Sequence, residues 1–142
     1  MSKYVVEMKD IRKSFDFVKA VSDGHFNLMK GEIHSLIGEN GAGKSTMMKL
    51  LYGLYPLDSG EIRIGDEVMT ELTPSKVIER GIGMVHQEFM LVDELTVLEN
   101  IILGFEPKKG VQIDFKAAAK AIQKYIDNYH MDVQLNKRIN QI

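Results

Sequence analysis

Short apolar runs bounded by turn residues alternate along this chain with stretches in which apolar residues recur every three or four positions. Tyr4-Val5-Val6-Glu7-Met8-Lys9-Asp10-Ile11 predicts a first strand. Val18 to Leu28 is less regular and predicts one or two short strands around Ser22-Asp23-Gly24, a turn signal. Gly31 introduces Glu32-Ile33-His34-Ser35-Leu36-Ile37, a further strand by its apolar lean. The rhythm then changes. Met47, Leu50, Leu51 and Leu54 recur at i, i+3, i+4 and i+7, the spacing of one helix face, and Gly53 with Pro56 just beyond marks the stop. Gly60 to Val68 predicts a β-hairpin about Gly65-Asp66. Thr73 and Pro74 suit the N-cap and first residue of a short helix ending before Gly81, and Ile82-Gly83-Met84-Val85 suits a buried strand.

The remainder is helical in character. Thr96-Val97-Leu98-Glu99 is a capping-box pattern that opens a helix, with Thr96 as N-cap and Glu99 at N3. Lys108-Lys109-Gly110 predicts a surface connection. Asp114 can cap a second helix whose Ala118, Ile122, Tyr125 and Tyr129 share a face, with Lys116, Lys120 and Lys124 solvated elsewhere. The expected division is a mixed α/β part over residues 1–88 and a helical part over 89–142.

Between the third predicted strand and the first helix lies Gly38-Glu39-Asn40-Gly41-Ala42-Gly43-Lys44-Ser45, which fits the phosphate-loop pattern G-x-x-x-x-G-K-[ST] without mismatch. Glycines at 38, 41 and 43 let backbone wrap an anion in conformations closed to residues with a Cβ. Successive N–H groups then converge as an anion-binding nest, and the following helix adds its N-terminal amides and dipole. Lys44 supplies a mobile charge for the β- and γ-phosphates, Ser45 a hydroxyl for Mg²⁺, and Thr46 a further hydroxyl toward the phosphates. A glycine-rich turn before a helix is the plainer alternative. The strand before and the amphipathic helix after argue against it, and ATP or GTP is the expected ligand.

Composition narrows the class. Over 142 residues, 44% hydrophobic and 27% charged content excludes general disorder, and a formal charge of −2 supplies no basic field for nucleic acid. With no cysteine, there is neither a disulfide framework nor a thiolate metal site. His25, His34, His86 and His130 show no metal-ligand spacing. The N-terminus lacks a signal-peptide core, and no run reaches the roughly 18 apolar residues of a membrane span. Any membrane role is expected to come through a partner.

Read further, the sequence resembles the ATP-binding-cassette (ABC) ATPases. Gly38 to Thr46 read G-E-N-G-A-G-K-S-T, and Met84-Val85-His86-Gln87 looks like that family's Q-loop. Val6 to Phe15, Gly31-Glu32-Ile33, Tyr52-Gly53-Leu54-Tyr55-Pro56 and Asp58-Ser59-Gly60-Glu61-Ile62 are also similar, in family order, so the likeness covers essentially the whole chain. It implies an α/β fold, a P-loop NTPase of ABC type that is incomplete: an antiparallel β subdomain, part of the parallel core and part of the helical subdomain. It implies ATP and Mg²⁺ as cofactors, with Lys44 and Gln87 in catalytic roles, and Ser45 and Gln87 toward Mg²⁺. The residues from Gly38 through Thr46 (Gly38, Glu39, Asn40, Gly41, Ala42, Gly43, Lys44, Ser45 and Thr46) would hold ATP. Phe15 matches the aromatic residue that the family stacks on adenine, with Phe17 as the competitor.

The family's signature, its Walker B strand with an Mg²⁺-binding Asp and catalytic Glu, and its switch His have no match. Ile101 to Glu106 imitates an apolar strand ending in an acid, but it follows the capping box and is expected to be helical, so Glu106 is not the base. The chain resembles the N-terminal portion of a nucleotide-binding domain, from which self-association and little or no hydrolysis by this chain alone are expected.

Gly81 to Val92, with Glu94-Leu95-Thr96-Val97 and Glu99-Asn100-Ile101, is similar to the simple-sugar and nucleoside importers, and Ile113-Asp114-Phe115 leans toward nucleosides. That resemblance implies transmembrane permease subunits and a second nucleotide-binding domain as partners, a solute-binding protein indirectly, and no nucleic acid. It also implies a cytoplasmic location, peripheral on the inner face of the membrane. Residues near Phe89 to Leu95 would line the groove that receives the permease's coupling helix. The apolar Phe89, Met90, Leu91 and Val92 suit a helix-in-groove contact, with plain subdomain packing as the alternative. A soluble non-transport ABC ATPase and a nucleotide-binding-only module remain alternatives.

Overall fold

The computed structural model describes residues 3–87 and 90–142. They form two compact units, one ending at Val85 and one beginning at His86. The boundary expected after residue 88 falls on Glu88 and Phe89, which lie outside the described residues, as does the part of the apolar run carried by Phe89.

The first unit is built on a four-stranded antiparallel sheet in the order β2-β1-β3-β4. Its strands are β1 (Tyr4–Phe15), β2 (Val18–Met29), β3 (Ser59–Ile64) and β4 (Glu67–Val68). β1 runs four residues past the Ile11 expected from sequence. The reason is a bulge. Val6 and Met8 point into the core, alternation fails at Lys9-Asp10, and Ile11 and Lys13 resume it one residue out of phase. Asp10 takes φ 52°, and the pairing of β1 slips between Met8 and Ile11 on the β2 side and between Lys9 and Arg12 on the β3 side. β2 is likewise one continuous strand. Asp23-Gly24, read as a turn, lies within it, with Gly24 opposite Ile11 just past the bulge. The hairpin from β3 to β4 turns at Gly65-Asp66 as expected, pairing Ile64 with Glu67.

Helix α1 (Lys44–Leu51) lays Met47, Leu50 and Leu51 on this sheet against Val6, Met8, Ile11, Ile62 and Ile64. Ile11, Leu50 and Ile62 are fully buried, each stabilising the fold by about 1.5–3 kcal/mol. The helix stops in a Schellman motif at Gly53, φ 78°, with the Gly53 N–H donating to the Leu50 carbonyl and Leu54 to Lys49. Leu54, expected on the buried face, therefore lies beyond the helix and is half-exposed. α2 (Pro74–Glu79) has Thr73 as its N-cap, accepting from the Lys76 N–H.

Two segments expected as strands form no ladder among the described residues. Glu32–Ile37 and Ile82–Val85 carry no strand pairing, and Ile33, Ile37 and Val85 are 97%, 93% and 89% exposed. An apolar run predicts a side-chain pattern. A strand also needs a neighbour for its backbone, and every ladder observed is antiparallel and made elsewhere.

In the second unit, α3 (Val97–Ile102) opens with the expected capping box: the Thr96 hydroxyl accepts from the Glu99 N–H, and the Glu99 carboxylate accepts from the Thr96 N–H. α3 ends at Ile102, so Leu103 to Glu106 form a turn instead of the helix expected there. The Asn100 amide donates to the Val92 and Thr96 carbonyls and accepts from the Val92 N–H, tying the preceding loop to α3. Lys108 and Lys109 belong to a short hairpin, β5 (Lys108–Lys109) with β6 (Gln112–Ile113). α4 (Phe115–Asn128) is capped by Asp114, but its buried positions are Ala118 and Ile126; Tyr125 and Tyr129 are exposed. Among the described residues no helix is long and apolar enough to cross a membrane.

One polar clamp fastens the sheet to the connection that follows α1. Asp58 accepts from the buried Lys13 ammonium at 2.8 Å and from the Ser14 N–H at 2.6 Å, while its own N–H donates to the Arg12 carbonyl. The Lys13 hydrogen bond first, and the Ser14 N–H second, hold the Asp58 carboxyl below its ordinary pKa. A depressed carboxyl stabilises the fold fully above the ordinary aspartate range, and that contribution is lost as the pH falls through the lower folded-state value. Thermal unfolding of wild type and Asp58→Asn should accordingly differ by a constant amount at neutral pH. The difference should narrow below about pH 4; a pH-independent difference would show that the ionised carboxylate is not what stabilises.

Candidate functional site

The phosphate-loop residues converge where β2 meets the start of α1. Gly41 and Gly43 take φ 85° and 81°, left-handed values that L side chains rarely adopt. At Gly43 the approach is also too close for any side chain, because a Cβ there would lie 2.5 Å from the Ala20 carbonyl oxygen. Gly38 is different: its φ is not positive, and a Cβ would meet Ala42 at 3.5 Å, an ordinary contact. The expectation that all three glycines serve unusual dihedrals thus holds for two of them.

Gly43 is the N-cap of α1 and offers no side-chain acceptor to the first-turn amides of Lys44, Ser45 and Thr46. Helices elsewhere in the chain use Thr73, Thr96 and Asp114 for that purpose. An uncapped, backbone-lined N-terminus favours an anion. Lys44 Nζ donates to the carbonyls of Gly38 and Glu39, each at 2.7 Å, so the ammonium is held over the loop by its own backbone. Asn40 to Thr46 form one wall of a cleft of about 380 Å³, and Val18, Lys19 and Ala20 of β2 form the other. Lys19 is a second cation on this cleft that sequence reasoning missed, since nothing local links it to the loop.

Phe15 ends β1 and pairs with Val18 across the turn, so it stands beside the residue that begins the cleft wall. It is 38% exposed and packs edge-on against Tyr55, ring centroids 5.0 Å apart. Phe17 sits at the hairpin turn and is fully exposed. Gln87 is exposed and belongs to the second unit. His25, dismissed on spacing, has Nε2 3.2 Å from Asp23 and 3.7 Å from Asp10. The β1 bulge and strand pairing bring these three together at the exposed surface.

A glycine-rich loop of this geometry, held between a strand and an uncapped helix, is shared by several nucleotide-binding families. The model of one of them, described as ABC transporter, matches residues 21–142. The chain belongs to the ABC transporter family. It is 51% identical over 131 residues to the guanosine import ATP-binding protein NupO of Bacillus subtilis (strain 168), a match covering 92% of this chain and 26% of that protein. It is 46% identical over 138 residues to the nucleoside import ATP-binding protein NupA of Lactococcus lactis subsp. cremoris, covering 97% and 27%. The xylose import ATP-binding protein XylG of Geobacillus kaustophilus is 40% identical over 144 residues, covering 100% and 29%. The chain therefore spans about a quarter of the length of these curated relatives.

Among solved structures it is similar to the ATP-binding cassette MJ0796 in a dimeric post-hydrolysis state bound to ADP and Pi, with TM-score 0.75 and 26% identity over 96% of this chain and 62% of that one. A nucleotide-free ATP-binding cassette from an ABC transporter shares the fold at TM-score 0.76 and 24% identity, covering 98% and 59%. The chain thus has the fold of part of an ABC cassette, including the antiparallel sheet and α1 that carry the loop.

The glycine geometry separates two substitutions that look alike on paper. Gly43→Ala must either push α1 away from β2 or abandon the left-handed turn, and should lower the melting temperature and abolish nucleotide binding. Gly38→Ala meets only ordinary contacts and should leave the fold within about 0.5 kcal/mol of wild type, read by thermal unfolding. Equal tolerance of both substitutions would show that the close approach at Ala20 is not a constraint.

Proposed function

We propose that this chain is the ATP-binding part of an importer ATPase that drives uptake of a nucleoside or simple sugar through a membrane permease. The observation that carries the reading is the cradle itself: left-handed Gly41 and Gly43, an uncapped α1 and a Lys44 ammonium already turned toward the loop. Support for import comes from the relatives, and the two named for guanosine and nucleoside import, at 51% and 46% identity, exceed the xylose protein at 40%. Nucleoside is therefore the favoured solute class.

In this reading the γ-phosphate end of ATP enters against the first-turn amides of Lys44, Ser45 and Thr46. Phosphate oxygens compete with the Gly38 and Glu39 carbonyls for the Lys44 ammonium. They win, because a charged acceptor makes the stronger hydrogen bond. The lysine exchanges neutral partners for charged ones without first being ordered from solvent. Lys19 adds positive potential from the opposite wall. Ser45 offers a hydroxyl at the second position of α1, a donor that suits Mg²⁺, a hard cation that takes oxygen ligands. Gln87 offers an amide oxygen, a role supported by the Q-loop likeness of Met84 to Gln87. Bound there, Mg²⁺ would neutralise charge on the phosphates. Phe15 supplies the surface for adenine, supported by its half-exposed ring beside Val18.

The partners follow from the same reading: a permease in the membrane, a second nucleotide-binding domain facing this one, and a peripheral position on the cytoplasmic face. Exposed Met90 and Leu91 suit the permease contact.

Two measurements test this. Titration calorimetry with Mg·ATP should show binding by the wild-type chain and at least a tenfold loss, about 1.4 kcal/mol, for Lys44→Ala; unchanged affinity would overturn the cradle. In cells of the source organism, disruption of the reading frame should abolish uptake of radiolabelled guanosine while xylose uptake persists. Loss of xylose uptake alone would reassign the solute class, and loss of neither would remove the importer reading.

A further inference from the structure

Phe15 is not free to choose its orientation. Its ring meets Tyr55 edge-on at 74° with centroids 5.0 Å apart, and the Lys13 ammonium lies 5.4 Å from its centroid. Tyr55 is part-buried against the hydrophobic core, and Lys49 of α1 stands 5.8 Å from its ring centroid. Lys13 in turn is buried and fixed by Asp58, which also takes the Ser14 N–H and donates to Arg12. Three consecutive residues before Phe15 are thereby pinned to the connection that carries Tyr55. An aromatic edge contact is directional, preferring offset or perpendicular rings, so it sets the plane of Phe15 as well as its position.

We propose that Tyr55 is a positioning residue for the nucleotide base: it never touches the ligand, but holds the Phe15 ring at the angle at which adenine stacks. The proposal rests on the reading of Phe15 as the adenine platform. Its chemical content is a separation of two contributions to affinity. Phosphate recognition belongs to the loop and α1, whereas base recognition passes through Tyr55 to Phe15. A bare polyphosphate engages only the first.

Loss of the Tyr55 ring should therefore be felt by ATP and not by inorganic tripolyphosphate. Calorimetric titration of the full chain with each compound, with Mg²⁺ held constant, reads this directly. Phe15→Ala is expected to weaken ATP about 5- to 100-fold, the range of a lost base–aromatic stack, with tripolyphosphate unchanged. Tyr55→Leu is expected to weaken ATP about 3- to 10-fold, again sparing tripolyphosphate. Tyr55→Phe keeps the ring and should bind ATP as wild type, and the Phe15→Ala/Tyr55→Leu double variant should be no weaker than Phe15→Ala.

The outcomes are distinguishable. Normal ATP binding by Phe15→Ala would remove the platform reading itself. A weakened Phe15→Ala beside an unaffected Tyr55→Leu would remove only the positioning role. Equal losses for ATP and tripolyphosphate in Tyr55→Leu would make Tyr55 merely structural and overturn the proposal. Should Tyr55→Leu fail to fold, Phe15→Trp provides a second measurement, because the chain contains no other tryptophan. Adding ATP should then shift the indole emission of the Phe15→Trp variant, both with Tyr55 intact and in combination with Tyr55→Phe. Combination with Tyr55→Met should shrink that shift, and an undiminished shift would overturn the proposal.

Discussion

The close approach of the loop backbone to β2 at Gly43 is the constraint on which the rest of the first unit depends. A side chain at that point would collide with the Ala20 carbonyl, so the chain passes as bare backbone and enters α1 in the same step. The direction of α1 is thereby set from the strand, and that direction delivers Met47, Leu50 and Leu51 onto the sheet. An eight-residue helix is too short to persist by propensity alone. Its stability comes from the apolar face it buries. The loop is therefore held in place by the hydrophobic core, through a close approach of the Gly43 backbone to Ala20 and Val21 of β2.

That arrangement leaves polar groups to be satisfied at the helix start. The other helices answer the problem with a side-chain oxygen at the N-cap; α1 does not, because its N-cap is the glycine that the close approach demands. Lys44 meanwhile directs its donors to the Gly38 and Glu39 carbonyls, which closes the loop on itself and holds a full charge on it. An uncapped helix start beside a loop that carries an ammonium suits an anion, and the arrangement needs no buried ion pair to maintain it.

What could be read from sequence divides along a physical line between local and non-local determinants. The loop was legible because eight successive residues carry its chemistry, and the caps at Thr73, Thr96 and Asp114 because each acts on an amide three residues away. The full lengths of β1 and β2 were not, since continuation past Asp10 depends on a bulge that two neighbouring strands must accommodate together. Glu32–Ile37 and Ile82–Val85 have the composition of strands, yet pairing is a property of a partner and composition cannot supply one. The buried face of α4 was misplaced for a related reason: Ile126 goes inward where Tyr125 was expected, a choice made by whatever packs against the helix. Lys19 and Tyr55 were invisible as functional residues because each acts across a gap in sequence that only the fold closes.

The same non-local logic links the two ends of the candidate site. α1 begins in the phosphate cradle and ends in the Schellman turn at Gly53, from which the chain runs directly to Tyr55 and Asp58. Eight residues at 1.5 Å rise make a strut of about 12 Å. At one end stand its uncapped amides; at the other its connection grips the strand that carries Phe15. Leu50 and Leu51 embed the strut in the core, so a shift at either end would have to disturb that packing. A nucleotide bound at both ends would be measured against a fixed length. On the proposed reading the core would then do more than keep the protein folded, because its packing would set the spacing between base and phosphates.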